Sequence, residues 1–421
     1  MESTVLIYGY ESARPGSVTA GRLGEIIARL EKDAPGARVL RGLGRRHSDF
    51  PALLLAALSQ AAMVHLRSAP RAPVDFRRFN ETYLMHASTS PNYPIIASLD
   101  VAAGMMDGPS GQQLTGEAIT EAVRFRQAVA RIGEQVREAG DRPPWFFGCW
   151  QPPVVTDPAA GVPHRFQDAP LELLCSEPSC WTLEPGAPWH GFDGLEPGYC
   201  LLDPVKVTIT CPGATADGTP QEQGIPARVL ARYLETRNIV VEKVSDYTIL
   251  VLFSMGITKG KWGTLLDALI DFKELYDAGA ACGDVLPGSG TDGLTLPGLC
   301  DRMHAQLGAS HLGTLLHKVF TDLPEPLLTP AECYQRLIRS GTDLRPVAEL
   351  AGKIAATKVV VTPPGIPMLM PGEAIGPAGG PVLEYLLAPQ ESDKAFTAFA
   401  TDIAGVHVDE DRNYRIEAVT G

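Results

Sequence analysis

The sequence predicts a protein of mixed α/β and α+β class, because strands and helices alternate in two different ways along its 421 residues. Near the N-terminus, a strand at 4–10 precedes a helix at 19–33 with apolar residues at helical spacing, and a strand at 36–42 follows it. In the middle of the chain, residues 205–279 give the order strand, helix, strand, strand, helix. The first pattern is the start of an α/β unit, and the second is typical of a mostly antiparallel sheet covered by helices on one face.

Further elements are predicted from periodicity alone. Between the two patterns we expect a buried helix at 52–65, helices at 74–87, 93–106 and 115–140 with a glycine-rich break at 107–113, a strand at 144–150 and an extended connection at 151–200. After residue 280 we expect helices at 297–307, 311–320, 330–339 and 345–356, a strand at 358–362 and a rigid proline-rich connector at 363–373.

Composition excludes several classes of function. The formal charge of −13, without an extended basic cluster, argues against nucleic acid or an anionic membrane surface as the main partner. The chain has no apolar run of membrane-spanning length, and its N-terminus lacks the pattern of a signal peptide, so a cytoplasmic protein is expected. Eight scattered cysteines without a CxxC pair favour reduced thiols over disulfides. Cys175, Cys180 and His190 match no zinc-site spacing, so no metal is expected there.

Several stretches in order carry a family resemblance. They are "LLLAALSQAAMVH", "RFNETYLMHASTSPNYPIIASLDVAAGMM", "WFFGCWQP", "LLDPVKVTIT", "GIPARVLARYLETRNIVVEKVSDYTILVLFSMGITKGK" and "PPGIPMLMPGE". From about residue 52 to the C-terminus the chain resembles the bacterial ornithine/lysine/arginine decarboxylases, fold-type I enzymes that depend on pyridoxal 5′-phosphate. The resemblance implies four domains: a flavodoxin-like wing remnant at 1–48, a remnant of the large cofactor domain at 49–107, an aminotransferase-like small α+β domain at 108–280 and a C-terminal decarboxylase domain at 281–421.

The residue at position 53 departs from this family. In the family, the lysine that forms an aldimine with the cofactor comes directly before the "LLAALSQ" helix, and a histidine precedes that lysine. Leu53 and Ala52 occupy these two positions here. Leucine has no amine, so it cannot form the internal aldimine. At most about fifty residues precede Leu53, and they resemble the wing, so we expect an internal deletion that joins the chain between about residues 44 and 52.

Two groups of residues match other functional positions of the family. Ser88, Thr89 and Ser90 match a turn near the cofactor phosphate across the subunit interface, whereas their alternative role is to cap the helix that follows. Glu242 matches a glutamate that faces the substrate, where a carboxylate can hold the distal ammonium or guanidinium of a basic amino acid. The alternative for Glu242 is an edge-strand side chain that pairs with Lys243 or faces solvent.

The resemblance therefore leaves two hypotheses. The first is a decarboxylase of ornithine, lysine or arginine that is inactive alone because it lacks the aldimine lysine. The second is a non-catalytic homologue that forms an oligomer, either with itself or with a full-length decarboxylase. In both cases, the helices predicted at 52–107 lack the sheet they would pack against, so their apolar faces are expected to be exposed, disordered or buried in a partner.

Overall fold

A computed structural model describes residues 4–9, 39–40, 62–67, 74–85, 90, 92–140, 144–215, 219–310, 312–362, 365–401 and 403–420. The chain forms two compact units. The first is Met1–Ile119 with Ser254–Ile257, and the second is Thr120–Phe253 with Thr258–Gly421. In the described part of the chain, no helix is both long enough and apolar enough to cross a membrane.

The first unit contains a three-stranded sheet of β1 (Thr4–Gly9), β2 (Val39–Leu40) and β3 (Ala62–Arg67). The strand β3 is central and antiparallel to both neighbours. The helix predicted at 52–65 is therefore wrong at its C-terminal end, while residues 52–61 and the helix predicted at 19–33 lie outside the described residues. The sequence "AMVHLR" alternates apolar and polar residues from Val64 to Arg67, and short apolar runs do not distinguish a strand from a buried helix by periodicity alone.

Three helices follow the sheet in the chain: α1 (Phe76–Leu84), α2 (Tyr93–Met106) and α3 (Gly108–Glu138). The first two confirm the sequence prediction. The glycine-rich break predicted at 107–113 is wrong, since all but the first of these residues belong to α3. Pro109 stands in the first turn of α3, where a missing N–H costs no hydrogen bond and the fixed φ favours the helix.

The second unit begins with a layer of strands and helices that matches the predicted antiparallel α+β pattern. Its elements up to residue 277 are β4 (Gly148–Cys149), β5 (Val154–Asp157), β6 (Val162–Arg165), α4 (Leu171–Ser176), β7 (Lys206–Thr210), α5 (Ala227–Thr236), β8 (Lys243–Val244), β9 (Thr248–Leu252) and α6 (Lys259–Asp277). The sheet has the order β4-β7-β9-β8, and every neighbouring pair is antiparallel. Val207, Ile209 and Ile249 of the sheet are fully buried.

Residues 151–200 are more regular than predicted, because they contain the β5–β6 hairpin and α4. The carboxylate of Asp157 accepts the N–H groups of Ala159 and Ala160 at 2.8 and 3.2 Å, which closes the turn of the hairpin. Gly161 completes the turn with a φ of +66°. The proline and glycine residues that predicted an irregular connection therefore include the turn of a β-hairpin.

The C-terminal part packs short sheets against helices. Its elements are α7 (Cys282–Val285), α8 (Leu296–Ser310), α9 (Leu312–Thr321), α10 (Pro330–Ile338), β10 (Thr342–Pro346), β11 (Val359–Val361), β12 (Ile366–Leu369), α11 (Pro381–Ala395), β13 (Ile403–Ala404), β14 (His407–Val408) and β15 (Tyr414–Val419). The two sheets have the orders β10-β15-β14 and β12-β11-β13. Their buried core includes Val359, Leu369, Leu386 and Ile416.

Two predictions for this part are wrong. The helix predicted at 345–356 is reduced to a single 3-10 turn at Val347–Glu349, preceded by β10. The proline-rich connector contains β12, which is an edge strand of its sheet. Pro367 lies opposite Val360 in this strand. An edge strand tolerates proline, which has no N–H to donate, because no further strand on its outer side needs that hydrogen bond.

Candidate functional site

Glu242 lies at the start of the β8–β9 hairpin. Its N–H donates to the carbonyl of Leu250 at 2.9 Å, and the N–H of Ser245 donates to the carbonyl of Thr248 at 2.8 Å at the hairpin tip. The side chain of Glu242 is exposed, and among the described residues it has no ion pair within 4 Å with Lys243. A fixed backbone with an exposed carboxylate is suited to bind a cation from outside the chain.

The end of α5 sets the direction in which the chain approaches Glu242. Asn238 has a left-handed φ of +59°, and the N–H of Ile239 donates to the carbonyl of Leu234 at 2.9 Å. This arrangement is a common helix C-terminus, and asparagine tolerates the left-handed conformation better than most residues. The short turn therefore connects the buried helix α5 to the sheet within a few residues.

Ser90 is exposed and precedes the N-terminus of α2. The side chain that caps this helix belongs to Asn92, whose Oδ1 accepts the N–H of Ile95 at 3.4 Å. The alternative in which the serine-threonine turn caps the helix is thus not needed to explain how α2 begins. Ser88 and Thr89 lie outside the described residues, and Ser90 and Glu242 belong to different units.

Leu53 also lies outside the described residues, so position 53 is informative only through the type of residue found there. Downstream of it, residues 62–67 form the strand β3 where the family resemblance implied a helix. The residues present thus have leucine at position 53 and a strand at residues 62–67. They do not fit pyridoxal phosphate in the way that the family's lysine segment implies.

The residues considered for a metal site have other surroundings. Within the described part of the chain, no group of three histidine, cysteine or acidic residues is arranged to hold a metal ion. His190 is buried, and its Nδ1 accepts the N–H of Phe192 at 3.0 Å, so its imidazole is packed and bonded to the backbone. Burial raises the pKa of the thiols of Cys175 and Cys180, which keeps both protonated and poorly suited to bind a metal.

The sequence prediction missed a buried arginine whose side chain connects α3 to two other segments of the small domain. Arg126 of α3 is fully buried and donates to the carbonyls of Trp150 and Lys206 at 3.0 Å each and of Pro204 at 3.2 Å. Burial lowers the pKa of its guanidinium to about 10, so it remains charged at neutral pH. A signal was available, since Arg126 is three residues from the buried Val123 and from the buried Val129 and therefore shares their helix face.

A second missed residue is Arg228, near the start of α5. One terminal nitrogen of its guanidinium donates to the carbonyl of Phe399 at 3.0 Å and to the Oγ1 of Thr401 at 2.6 Å. The carboxylate of Asp393 accepts the N–H of Thr401 at 3.0 and 3.1 Å and also accepts the hydroxyl of Tyr414. The partners of Arg228 are more than 170 residues away along the chain, so no local pattern indicates them.

The comparisons with known proteins agree with this architecture. Residues 52–261 match the Orn/Lys/Arg decarboxylase major domain, and residues 313–420 match the Orn/Lys/Arg decarboxylase C-terminal domain. The chain is 43% identical over 375 residues to lysine decarboxylase LdcA of Pseudomonas aeruginosa, covering 87% of this chain and 47% of that protein. It is 41% identical over 361 residues to the biodegradative arginine decarboxylase of Escherichia coli, covering 84% of this chain and 47% of that protein.

A solved structure shows the same relationship in three dimensions. Lysine decarboxylase A from Pseudomonas aeruginosa superposes with a TM-score of 0.77 at 42% identity, covering 87% of this chain and 48% of that chain. The chain thus spans about half the length of the relatives it matches. Both domain matches and this structural similarity lead to one conclusion: the chain belongs to the Orn/Lys/Arg decarboxylase family.

Proposed function

We propose that this chain derives from a pyridoxal-phosphate-dependent decarboxylase that converts ornithine, lysine or arginine to the corresponding amine and CO2, and that it has no decarboxylase activity alone. The observation that carries the proposal is Leu53 at the position of the family's aldimine lysine. In such enzymes the bound cofactor stabilises the carbanion left after loss of CO2. A chain without this amine cannot hold the cofactor by the family's covalent link.

Most of the family's cofactor domain is missing in addition to the lysine, so a single substitution does not restore activity. The residues before Leu53 resemble the wing domain and not the family's cofactor domain, in which an aspartate pairs with the pyridinium nitrogen. We therefore propose that Leu53→Lys produces no decarboxylase activity. The four domain assignments, 1–48, 49–107, 108–280 and 281–421, are part of the same proposal.

The experiment is to add pyridoxal phosphate to the purified chain and record the absorption spectrum before and after borohydride reduction. Intact LdcA of Pseudomonas aeruginosa serves as the positive control. We expect no aldimine absorption band and no reduced adduct on any lysine peptide by mass spectrometry. A stoichiometric adduct at one specific lysine would refute the proposed loss of cofactor attachment.

Glu242 is proposed to hold the distal cation of a basic amino acid. Its exposed carboxylate and hydrogen-bonded backbone support this role. Calorimetric titration of lysine, ornithine and arginine into the chain and into Glu242→Gln tests it, with Glu235→Gln as the control. Glu235 is an exposed glutamate of α5 that pairs with Arg232 at 2.9 Å. We expect at least about tenfold weaker binding for Glu242→Gln alone; equal affinities of both variants would contradict the role.

A second candidate function is a non-catalytic subunit that binds a full-length decarboxylase. The helices α1 and α2 support it, because they expose large apolar side chains: Phe76 (48%), Leu84 (47%), Tyr93 (75%) and Val101 (61%). Such surface is expected where a helix normally packs against another chain or domain. Co-expression with a tagged full-length relative, followed by size-exclusion chromatography, should give a mixed oligomer. Elution of the chain only as a separate compact monomer would contradict this function.

A further inference from the structure

The contact between Arg228 and the C-terminal segment continues into the hairpin that carries Glu242. Next to Arg228 on α5, the N–H of Ala227 donates to the carbonyl of Asp246 at 2.7 Å. Asp246 lies in the tip that joins β8 to β9, and its carboxyl group interacts electrostatically with the Arg228 guanidinium. The hairpin tip is therefore held by a backbone hydrogen bond at the start of the helix that carries Arg228.

The open end of the hairpin is held by a backbone hydrogen bond between its two sides. Glu242 donates its N–H to Leu250, and the strand pairing places Lys243 opposite Leu250. The edge strand β8 pairs with β9 over two residues only, whereas β9 pairs with β7 over five residues, so the contact at the tip supports the position of β8 in particular. A shift of the tip would move Glu242 with it.

The C-terminal side of the contact is also fixed. Thr401 is held by the Asp393 carboxylate, and Asp393 in turn accepts the hydroxyl of Tyr414, which is buried in the C-terminal core. The N–H of Tyr414 donates to the Oε1 of Gln390 at 2.6 Å, so α11 and β15 support this segment from both sides. Arg228 thus joins two well-packed parts, one of which carries Glu242.

We propose that Arg228 is a positioning residue: it joins the C-terminal segment Phe399–Thr401 to the β8–β9 hairpin and thereby fixes the place of the Glu242 carboxylate. The inference rests on the proposed role of Glu242 in binding the distal cation of a basic amino acid. It assigns the C-terminal domain a part in the substrate-binding side of the small domain, although Arg228 touches no substrate. Hydrogen bonds to a charged donor in a half-buried setting are strong enough for this purpose.

Hydrogen–deuterium exchange of the full chain, read by mass spectrometry on peptides covering 239–252 and 396–406, tests the proposal. The variants are Arg228→Met, Arg228→Lys and Thr401→Val, the last of which removes one of the two acceptors of Arg228, the Thr401 hydroxyl, and leaves the Phe399 carbonyl. Arg232→Met is the matched control, since it removes the same charge from the same helix at a residue whose ion pair, within the described part of the chain, is with Glu235 at 2.9 Å.

We expect Arg228→Met and Thr401→Val to increase exchange about tenfold in both peptides, Arg228→Lys to restore much of the protection and Arg232→Met to change neither peptide. Faster exchange in 396–406 with unchanged exchange in 239–252 would overturn the proposal, because Arg228 would then only fasten the C-terminal segment. Unchanged exchange in both peptides would overturn it as well. Should Arg228→Met fail to fold, Thr401→Val and Arg228→Lys decide the same question.

Titration of lysine, ornithine and arginine separates this inference from the proposed function. If Arg228 positions Glu242, Arg228→Met weakens binding less than Glu242→Gln, and Arg228→Lys recovers it. If Glu242→Gln leaves binding unchanged, the proposed role of Glu242 fails, whereas the exchange data still report whether Arg228 couples the two segments. Weakened exchange protection without any change in binding would refute the positioning role alone.

Discussion

Replacement of the buried Arg126 by methionine tests how the small domain is held together. Methionine keeps most of the apolar stem, but it removes the donors to the carbonyls of Trp150, Pro204 and Lys206. These bonds join α3 to the segments around Trp150 and Pro204–Lys206. Their loss therefore affects the junction of the helix with the sheet, and not the helix alone.

The expected loss of stability is calculated from the three carbonyl groups that lose their hydrogen-bond donor. Each partly buried acceptor left without a donor costs about 1 kcal/mol, so the free energy of unfolding should fall by roughly 3 kcal/mol. Relief from burying a guanidinium offsets part of this loss, while the lost contact with the Trp181 ring, 5.4 Å from the guanidinium carbon, adds to it. A change of this size is large against the usual total stability of about 5 to 15 kcal/mol.

Urea unfolding followed by tryptophan fluorescence measures the change, and Arg124→Met provides the control. Arg124 is a half-exposed neighbour on α3 that pairs with Glu121 at 2.6 Å, and such surface pairs contribute at most about 1 kcal/mol. A loss below about 1 kcal/mol for Arg126→Met, or equal losses for both variants, would refute the reasoning.

Two further predictions concern other parts of the second unit. Burial raises the pKa of the Asp246 carboxyl, so the stability of the folded chain falls as the pH rises from the carboxyl's ordinary pKa to the raised pKa, and the loss is complete above it. Asp246→Asn should therefore stabilise the chain at pH about 7, and the gain should vanish as the pH falls to about 4. Urea unfolding at both pH values checks this, and an equal gain at both would contradict it. Gly405→Ala should unfold the β12-β11-β13 sheet, because φ is +90° and a Cβ would lie 1.9 Å from the carbonyl oxygen of Lys358. Gly352→Ala, with φ of +70° and no atom within 4 Å, should cost only about 1 to 2 kcal/mol in the same thermal unfolding assay; similar losses in both variants would argue against the close contact.

The residue at position 53 and the order of the family motifs could be read from the sequence, because both depend only on local identity. The long helices α2, α5 and α6 could also be predicted, since each has apolar residues at helical spacing. The strand β3 and the edge strand β12 could not. Both are short apolar segments whose conformation depends on strand pairing: β3 pairs with the distant β1, and β12 pairs with the preceding strand β11.

The sequence alone determined the class and the family, and it carries the proposal that Leu53 stands at the family's lysine position. Only the tertiary structure placed Glu242 on an exposed hairpin and gave Arg126 and Arg228 their acceptors, which lie between 24 and 173 residues away along the chain. The physical reason is that periodicity and residue identity report local preferences. A buried guanidinium, in contrast, is defined by carbonyl oxygens that approach it only when distant segments pack together.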